Sequence, residues 1–373
     1  MIIPYCLNIH PGETLEDIRN AITAYALKVK EHIAPDQPYP LGLRLGAGAV
    51  DKITEADNTM LFKQLLEKNN LYATGINGFP YGTFHNTAVK SAVYQPDWTS
   101  SERLNYTIKL ASILSDLLPE GMTGNVSTVP LGYKLDKTAA EAHDCEQLYV
   151  KNTAKAAEYL RILHRETGKK ITLAIEPEPD CVIGNSTELL NWFERLYDTG
   201  DAAREYIGVC LDTCHFAVEY EDPLEVIHKL ETADINIARI QLSSAISTTI
   251  SGNSINALRA FIDTVYLHQT KIQTAENKIV SFPDLTEEVL KIALQYKDAT
   301  LRTHFHVPLF FEGTQLLQST HDYLSPEFFA HAVNQKYPLE IETYTFDVLP
   351  PEIKPANIID SLVTEHNWVA EHL

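Results

Sequence analysis

Short apolar runs alternate with helix-like stretches along most of this chain, and that alternation constrains the fold more than any other feature. Strand-like runs fall at 2–10 (IIPYCLNIH), 41–46, 71–78, 125–132, 171–176 (ITLAIE), 206–213 and 235–244. Between the first two, Thr14 and Asp17 fit a capping box, and Leu15, Ile18, Ile22, Tyr25, Val29 and Ile33 follow at helical spacing. Strands too apolar to show a wet face, separated by helices, imply a parallel sheet covered on its outer side. Seven such units before residue 245 favour a closed eight-stranded α/β barrel, (β/α)8, over an open sheet.

The end of the chain is less regular. Residues 245–300 form an excursion in which AFIDTVYLHQTKIQ and KIVSFPDL read as a hairpin followed by a helix. Two further strand-like runs, 301–311 (LRTHFHVPLFF) and 339–346 (LEIETYTF), flank the helix SPEFFAHAVNQ. One of them is the eighth barrel strand and the other is extra; the pattern does not say which. No Pro/Gly/Ser linker divides the chain, so 1–373 reads as one barrel domain with an insertion at about 245–300 and additional C-terminal strands.

Fifty acidic against 30 basic side chains give a formal charge of -20, which argues against nucleic acid as a partner. The five cysteines, Cys6, Cys145, Cys181, Cys210 and Cys214, form no framework and read as thiols of a reducing compartment. The first residues carry no basic signal-peptide region, and no apolar run reaches the length of a membrane span. A cytoplasmic protein without membrane insertion is expected.

Carboxylates and histidines sit where the apolar runs end. In a parallel barrel all strand C-termini share one face, so such residues converge however distant in sequence. Glu176 closes ITLAIE; Glu178, two residues on, reads as solvent-facing. Asp212 and His215 come from LDTCH, where Asp212 is either a functional carboxylate or the N-cap of the next segment. Gln241 in RIQLSS is a carbonyl ligand for a hard ion, a partner for substrate hydroxyls, or a satisfied barrel-end group. His304 and His306 alternate and so point to one face of a strand, as do Glu340 and Glu342, with Tyr344 following. Carboxylates and imidazoles together suit a divalent metal. The loop at 77–98, rich in Phe79, Tyr81, Phe84, His85, Tyr94 and Trp98, either roofs a ligand pocket or packs on itself. Asn8 and His10, leaving the first strand, are placed at the same mouth.

AIEPEP, CLDTCH and a late E-T-Y resemble the xylose-isomerase-like TIM barrels, the sugar-phosphate isomerases and epimerases. A longer ordered set resembles one subfamily, the metabolite traffic protein EboE family: YCLNIHPGET, GLRL, INGFPYGTFH, VYQPDW, LDTCH, VYLHQ, HFHVPLF and IETYTFDVLP. The superfamily resemblance implies one divalent ion, manganese, magnesium or zinc, held by Glu176, Asp212, a histidine and Glu342. The histidine position is taken here by Gln241, so His304 or His306 replaces it or metal binding weakens. The resemblance further implies substrate contact by His215. Asn8, His10, Asn77, Tyr81, His85 and Gln241 complete the expected substrate-binding set. It also implies pairing into a homodimer, and a functional link to a UbiA-like prenyltransferase.

Two functions follow as expectations. The first is a metal-dependent isomerase or epimerase acting on a small polyhydroxylated or carbonyl metabolite, with Glu176 and Glu342 moving the proton. The alternative is a non-catalytic barrel that binds or carries a metabolite. A DNA repair nuclease, which shares the superfamily, is argued against by the charge.

Overall fold

The computed structural model describes residues 1–55, 57–85, 88–134 and 139–373, the side chains of 139–142 excepted. Six parallel strands come first: β1 (Tyr39–Arg44), β2 (Leu71–Asn77), β3 (Gly124–Thr128), β4 (Ile171–Ile175), β5 (Ile207–Asp212) and β6 (Ile237–Leu242). Then follow β7 (Ile246–Thr249), β8 (Thr270–Gln273), β9 (Ile279–Phe282), β10 (Thr300–Thr303) and β11 (Gln318–Ser319), and finally β12 (Leu339–Ile341). The sheet β1-β2-β3-β4-β5-β6-β12 is parallel throughout. Parallel bridges from Tyr5 to Ile341 and from Cys6 to Gly42 join its two edges.

The eighth stave is therefore only two residues long. The run 2–10, expected as a full strand, pairs at Tyr5 and Cys6 and then winds into a 3-10 turn over Leu7–Ile9. Cys6 N donates to Ile341 O at 2.8 Å and Ile341 N to Pro4 O at 3.0 Å, which closes the ring. The ambiguity between the two late runs is also resolved. Leu339–Ile341 joins the barrel beside β6, whereas 300–303 belongs to a second, antiparallel sheet of order β11-β7-β10-β8-β9. That sheet begins directly after β6 and runs on to Ser319, past the boundary expected near 300. The expected hairpin is present as β8 and β9, followed by the helix Glu287–Ala293.

Strands β1, β3, β4, β5, β6 and β12 are buried at every position, because helices cover their outer face. The first helix opens on the expected capping box of Thr14 and Asp17. The helix at Ala139–Thr167 turns Ala156, Leu160 and Leu163 inward. The barrel interior departs from the usual aliphatic filling. Arg239 on β6 donates to both oxygens of Glu340 on β12, at 3.0 and 3.2 Å, with both residues about 98% buried. A Cβ at Gly42 would lie 1.9 Å from Glu340 Oε2, so glycine on β1 is what makes room for that pair. Among the described residues no helix is long and apolar enough to cross a membrane.

Candidate metal and active site

Glu176 follows β4 and Asp212 ends β5, so both carboxylates stand at the C-terminal mouth of the barrel, and both are buried. Asp212 does two things at once. Its Oδ1 caps the helix Thr213–Val218 by accepting from His215 N at 3.1 Å, and also accepts from Ser243 Oγ at 2.7 Å. Its Oδ2 has no hydrogen-bond partner among the described residues, and the same holds for Glu176 Oε2, whereas Glu342 Oε2 lies 2.7 Å from His306 Nδ1. Leaving such atoms unpaired away from water is costly, so they mark where a ligand or cation belongs.

His304 and His306 lie just beyond β10, not within it. Their alternation along a strand is thus not what aims them; the backbone beyond the strand does. His304 N donates to Gln269 O at 2.8 Å and Val307 N to Ser244 O at 3.0 Å, which pins the segment over the mouth. The two rings then meet through Nε2 at 2.9 Å, and His304 Nε2 lies 3.1 Å from His215 Nε2. Each Nδ1 faces an oxygen acceptor: Pro177 O at 2.8 Å for His215, Gln269 Oε1 at 2.7 Å for His304, and Glu342 O at 2.9 Å for His306. An oxygen acceptor fixes each Nδ1 as the protonated nitrogen, so three Nε2 atoms are turned toward one another.

Ligand-type atoms of Asp212, His215 and His306 lie within 4.8 Å of one another. So do those of Glu178, His215 and His304, and those of Cys214, His304 and His306. This convergence, with the unpaired Oδ2 of Asp212, fits a divalent ion. Burial pushes His304 well below the usual histidine range, reinforced by His215 and His306. Burial also opposes protonation of His306, but Cys214 first, then Glu342 and Asp212, favour its cation and hold it well above that range. The cluster as built calls for positive charge, as a proton or as a metal ion.

Glu178 is buried, contrary to its expected solvent-facing position. Its Oε1 accepts from Tyr94 Oη at 2.8 Å and from Gln269 Nε2 at 3.1 Å, and lies 3.4 Å from His304 Nδ1. Burial raises its carboxyl above the ordinary range. Glu176 is pushed up further, by burial first and then by the neighbouring Glu342 and Asp212 carboxylates. Glu342 receives Asn8 Nδ2 on its other oxygen.

Glu176, Glu178, His215, His304 and Glu342 floor a small pocket, with Asp212 and His306 outside its lining. Asn8, Asn77, Glu176, Glu178, His215, His304 and Glu342 provide the polar side; Phe79, Phe84, Val89, Val93, Tyr94, Tyr266, Leu267 and Tyr344 provide the roof. The loop after β2 therefore does cover the pocket, although 86–87 lie outside the described residues. His85 stands behind the roof, bonded to Asn8 O at 2.7 Å and to Tyr266 Oη at 3.1 Å. Other expected residues lie elsewhere. His10 stacks on Tyr25 and is bonded to Tyr5. Tyr81 packs edge-on against Tyr106, and Trp98 is buried with Nε1 on Thr128 Oγ1. Gln241 lies below the pocket; its Oε1 takes the Cys210 thiol, and its Nε2 has no partner among the described residues. Sequence reasoning missed Glu178, Gln269 and Tyr266 as site residues, of which the last two sit in VYLHQ within the excursion.

Neither a family model nor a curated relative matches the chain. Solved structures do. A D-allulose 3-epimerase from Methylomonas sp., in complex with D-allulose, aligns over 100% of this chain and 97% of its own, with 12% identity and a TM-score of 0.53. A xylose isomerase-like TIM barrel protein from Mycobacterium smegmatis, in complex with magnesium, aligns over 100% and 95% with 12% identity and a TM-score of 0.52. The probable 3-DHS dehydratase AsbF from Bacillus anthracis aligns over 99% of both chains, with 11% identity and a TM-score of 0.51. The fold is that of the xylose-isomerase-like barrels. At these identities the likeness carries the fold and no more.

Proposed function

We propose that this chain is a divalent-metal-dependent isomerase or epimerase that moves a proton on a small polyhydroxylated or carbonyl metabolite. The observation that carries the reading is the pair of buried carboxylates, Glu176 with an unpaired Oε2 among the described residues and Glu342 set against His306 Nδ1, both lining one pocket with His215 and His304. The magnesium-bound and allulose-bound neighbours support it.

Bound in the cluster, the ion supplies Lewis acidity, favouring ionisation of the carbon acid next to a carbonyl. The rest falls to the side chains. Asn8 Nδ2 on Oε1 and His306 Nδ1 2.7 Å from Oε2 orient the Glu342 carboxylate, which takes the proton from carbon while the C–H electrons shift toward the carbonyl oxygen as an enediolate. Glu176, whose surroundings favour its acid form, returns a proton to the opposite face. Exchange with solvent then resets the two carboxyl groups. The roof of Phe84, Val89, Tyr266 and Tyr344 excludes water meanwhile.

The ordered motifs that resemble the EboE family support a finer assignment, a cytoplasmic metabolite-handling protein linked to a UbiA-like prenyltransferase. One observation favours a binding or trafficking barrel instead: Gln241 stands where the superfamily resemblance calls for a ligand histidine. Metal-loaded protein incubated with ketoses, aldoses and 2-hydroxyketones in D2O distinguishes the two. The isomerase reading expects deuterium at the carbon beside the carbonyl, with losses of about 10²–10⁴-fold in Glu176→Gln and Glu342→Gln. Ligand binding without exchange in any compound leaves the binding barrel.

A further inference from the structure

His215, His304 and His306 each turn Nδ1 to an oxygen acceptor, and His304 Nε2 lies 2.9 Å from His306 Nε2 and 3.1 Å from His215 Nε2, a convergence of ring nitrogens that a shared cation would hold together. The separations are close to what one ion demands. A tetrahedral zinc with Zn–N of about 2.0–2.1 Å sets its nitrogen ligands about 3.3 Å apart. The acceptors that fix the tautomers are two backbone carbonyls and Gln269 Oε1, an outer shell of the kind metal-bound histidines use. Asp212 adds the oxygen ligand: its carboxylate is grouped with His215 and His306, its Oδ1 lies 4.0 Å from His215 Nε2, and its buried Oδ2 has no partner among the described residues.

The strand-end carboxylates fit less well. Neither Glu176 nor Glu342 joins a compact ligand group with two others among the described residues. Gln241 cannot complete a set with them, since its Oε1 is engaged by Cys210 and its other terminal atom is a donor.

We infer that the ion is held by His215, His304, His306 and Asp212, and that this nitrogen-rich set selects zinc or a similar transition metal over magnesium and manganese. Imidazole suits zinc, whereas magnesium and manganese favour all-oxygen surroundings. Two of the ligands, His304 and His306, then come from the segment after β10, so the inserted sheet completes the metal site. Glu176 and Glu342 stay outside the coordination sphere, Glu342 as an outer partner of His306 Nδ1 at 2.7 Å and Glu176 with its unpaired Oε2 turned to substrate. The inference rests on the proposed function only in using the same pocket.

The test needs only the purified protein and metal salts. Chelator-stripped protein is dialysed against an equimolar mixture of zinc, manganese and magnesium chlorides, and its metal content is measured by mass spectrometry. One equivalent of zinc, with manganese and magnesium absent, is the expected result. The cobalt(II)-substituted protein should show the intense visible absorption of a tetrahedral site. His215→Ala and His306→Ala should weaken zinc binding by more than about 100-fold, and Gln269→Ala, which removes only an outer partner, by about 10–100-fold. Glu176→Gln should retain zinc at full affinity. Because a histidine variant can fail to fold, the Gln269→Ala and Glu176→Gln results are read on proteins with native melting profiles. Preference for manganese or magnesium, loss of zinc in Glu176→Gln, or a protein that binds no metal and carries a proton in the cluster would overturn the inference. Zinc bound through the histidines without substrate proton exchange removes the isomerase reading alone. Proton exchange supported by manganese held at Glu176 removes the inference alone.

Discussion

His304 and His306 face each other through Nε2 at 2.9 Å while their Nδ1 atoms are turned to separate oxygen acceptors. The relationship depends on two sheets. His306 is anchored to Glu342 just beyond β12 of the barrel, and His304 to Gln269 just before β8 of the antiparallel sheet. The imidazole cluster thus fastens the inserted sheet to the barrel mouth.

Asp212 offers a way to separate capping from ligation. In Asp212→Asn the side-chain carbonyl still caps the helix and accepts from Ser243, so stability should change by no more than about 1 kcal/mol. Metal affinity should nevertheless collapse, because the anionic oxygen is gone. Asp212→Ala should lose both, with about 1 kcal/mol more destabilisation. Chemical denaturation of metal-free protein beside zinc titration reads the two effects; equal metal affinity in wild type and Asp212→Asn would show that this carboxylate is no ligand.

Gly42 tests the charged interior. Gly42→Ala would drive a methyl group into Glu340 Oε2 and break its bidentate pairing with Arg239. Splitting a buried ion pair costs about 3–5 kcal/mol, so urea denaturation should show a loss of that order. A loss below about 1 kcal/mol would mean the pair can shift aside.

Two buried histidines outside the site set the acid limit. Burial lowers His10 to about 3, helped by His85, and lowers His366 to about 4. Between about pH 4 and 6.5 the unfolded chain binds protons at both positions and the folded one does not, so stability falls as pH drops through this window. The two sites contribute up to about 2.7 kcal/mol per pH unit. Urea midpoints at pH 7 and pH 5 measure this, and His366→Gln should flatten the dependence; an unchanged slope in that variant would remove His366 from the account.

The barrel was legible in the sequence because fully buried parallel strands leave long apolar runs, and the strand-end Glu176 and Asp212 were legible with it. The eighth strand was not, since 301–311 and 339–346 are both apolar and only pairing partners separate them. Glu178 was misread because its burial comes from Tyr94 and Gln269, both more than 80 residues away in the chain. The convergence of His215 with His304 and His306 was hidden for the same reason. The charged interior did leave a trace in IARIQL, where Arg239 and Gln241 stand two apart on one face of an otherwise apolar strand.

Anomalous scattering from crystals of the zinc-loaded protein, recorded at the zinc absorption edge, tests the central claim most directly. The account predicts one peak within about 2.0–2.2 Å of the His215, His304 and His306 Nε2 atoms and of Asp212 Oδ2, with Glu176 outside bonding distance. A peak held instead by Glu176, Asp212 and Glu342 at the strand ends, or no peak in the pocket, would contradict it.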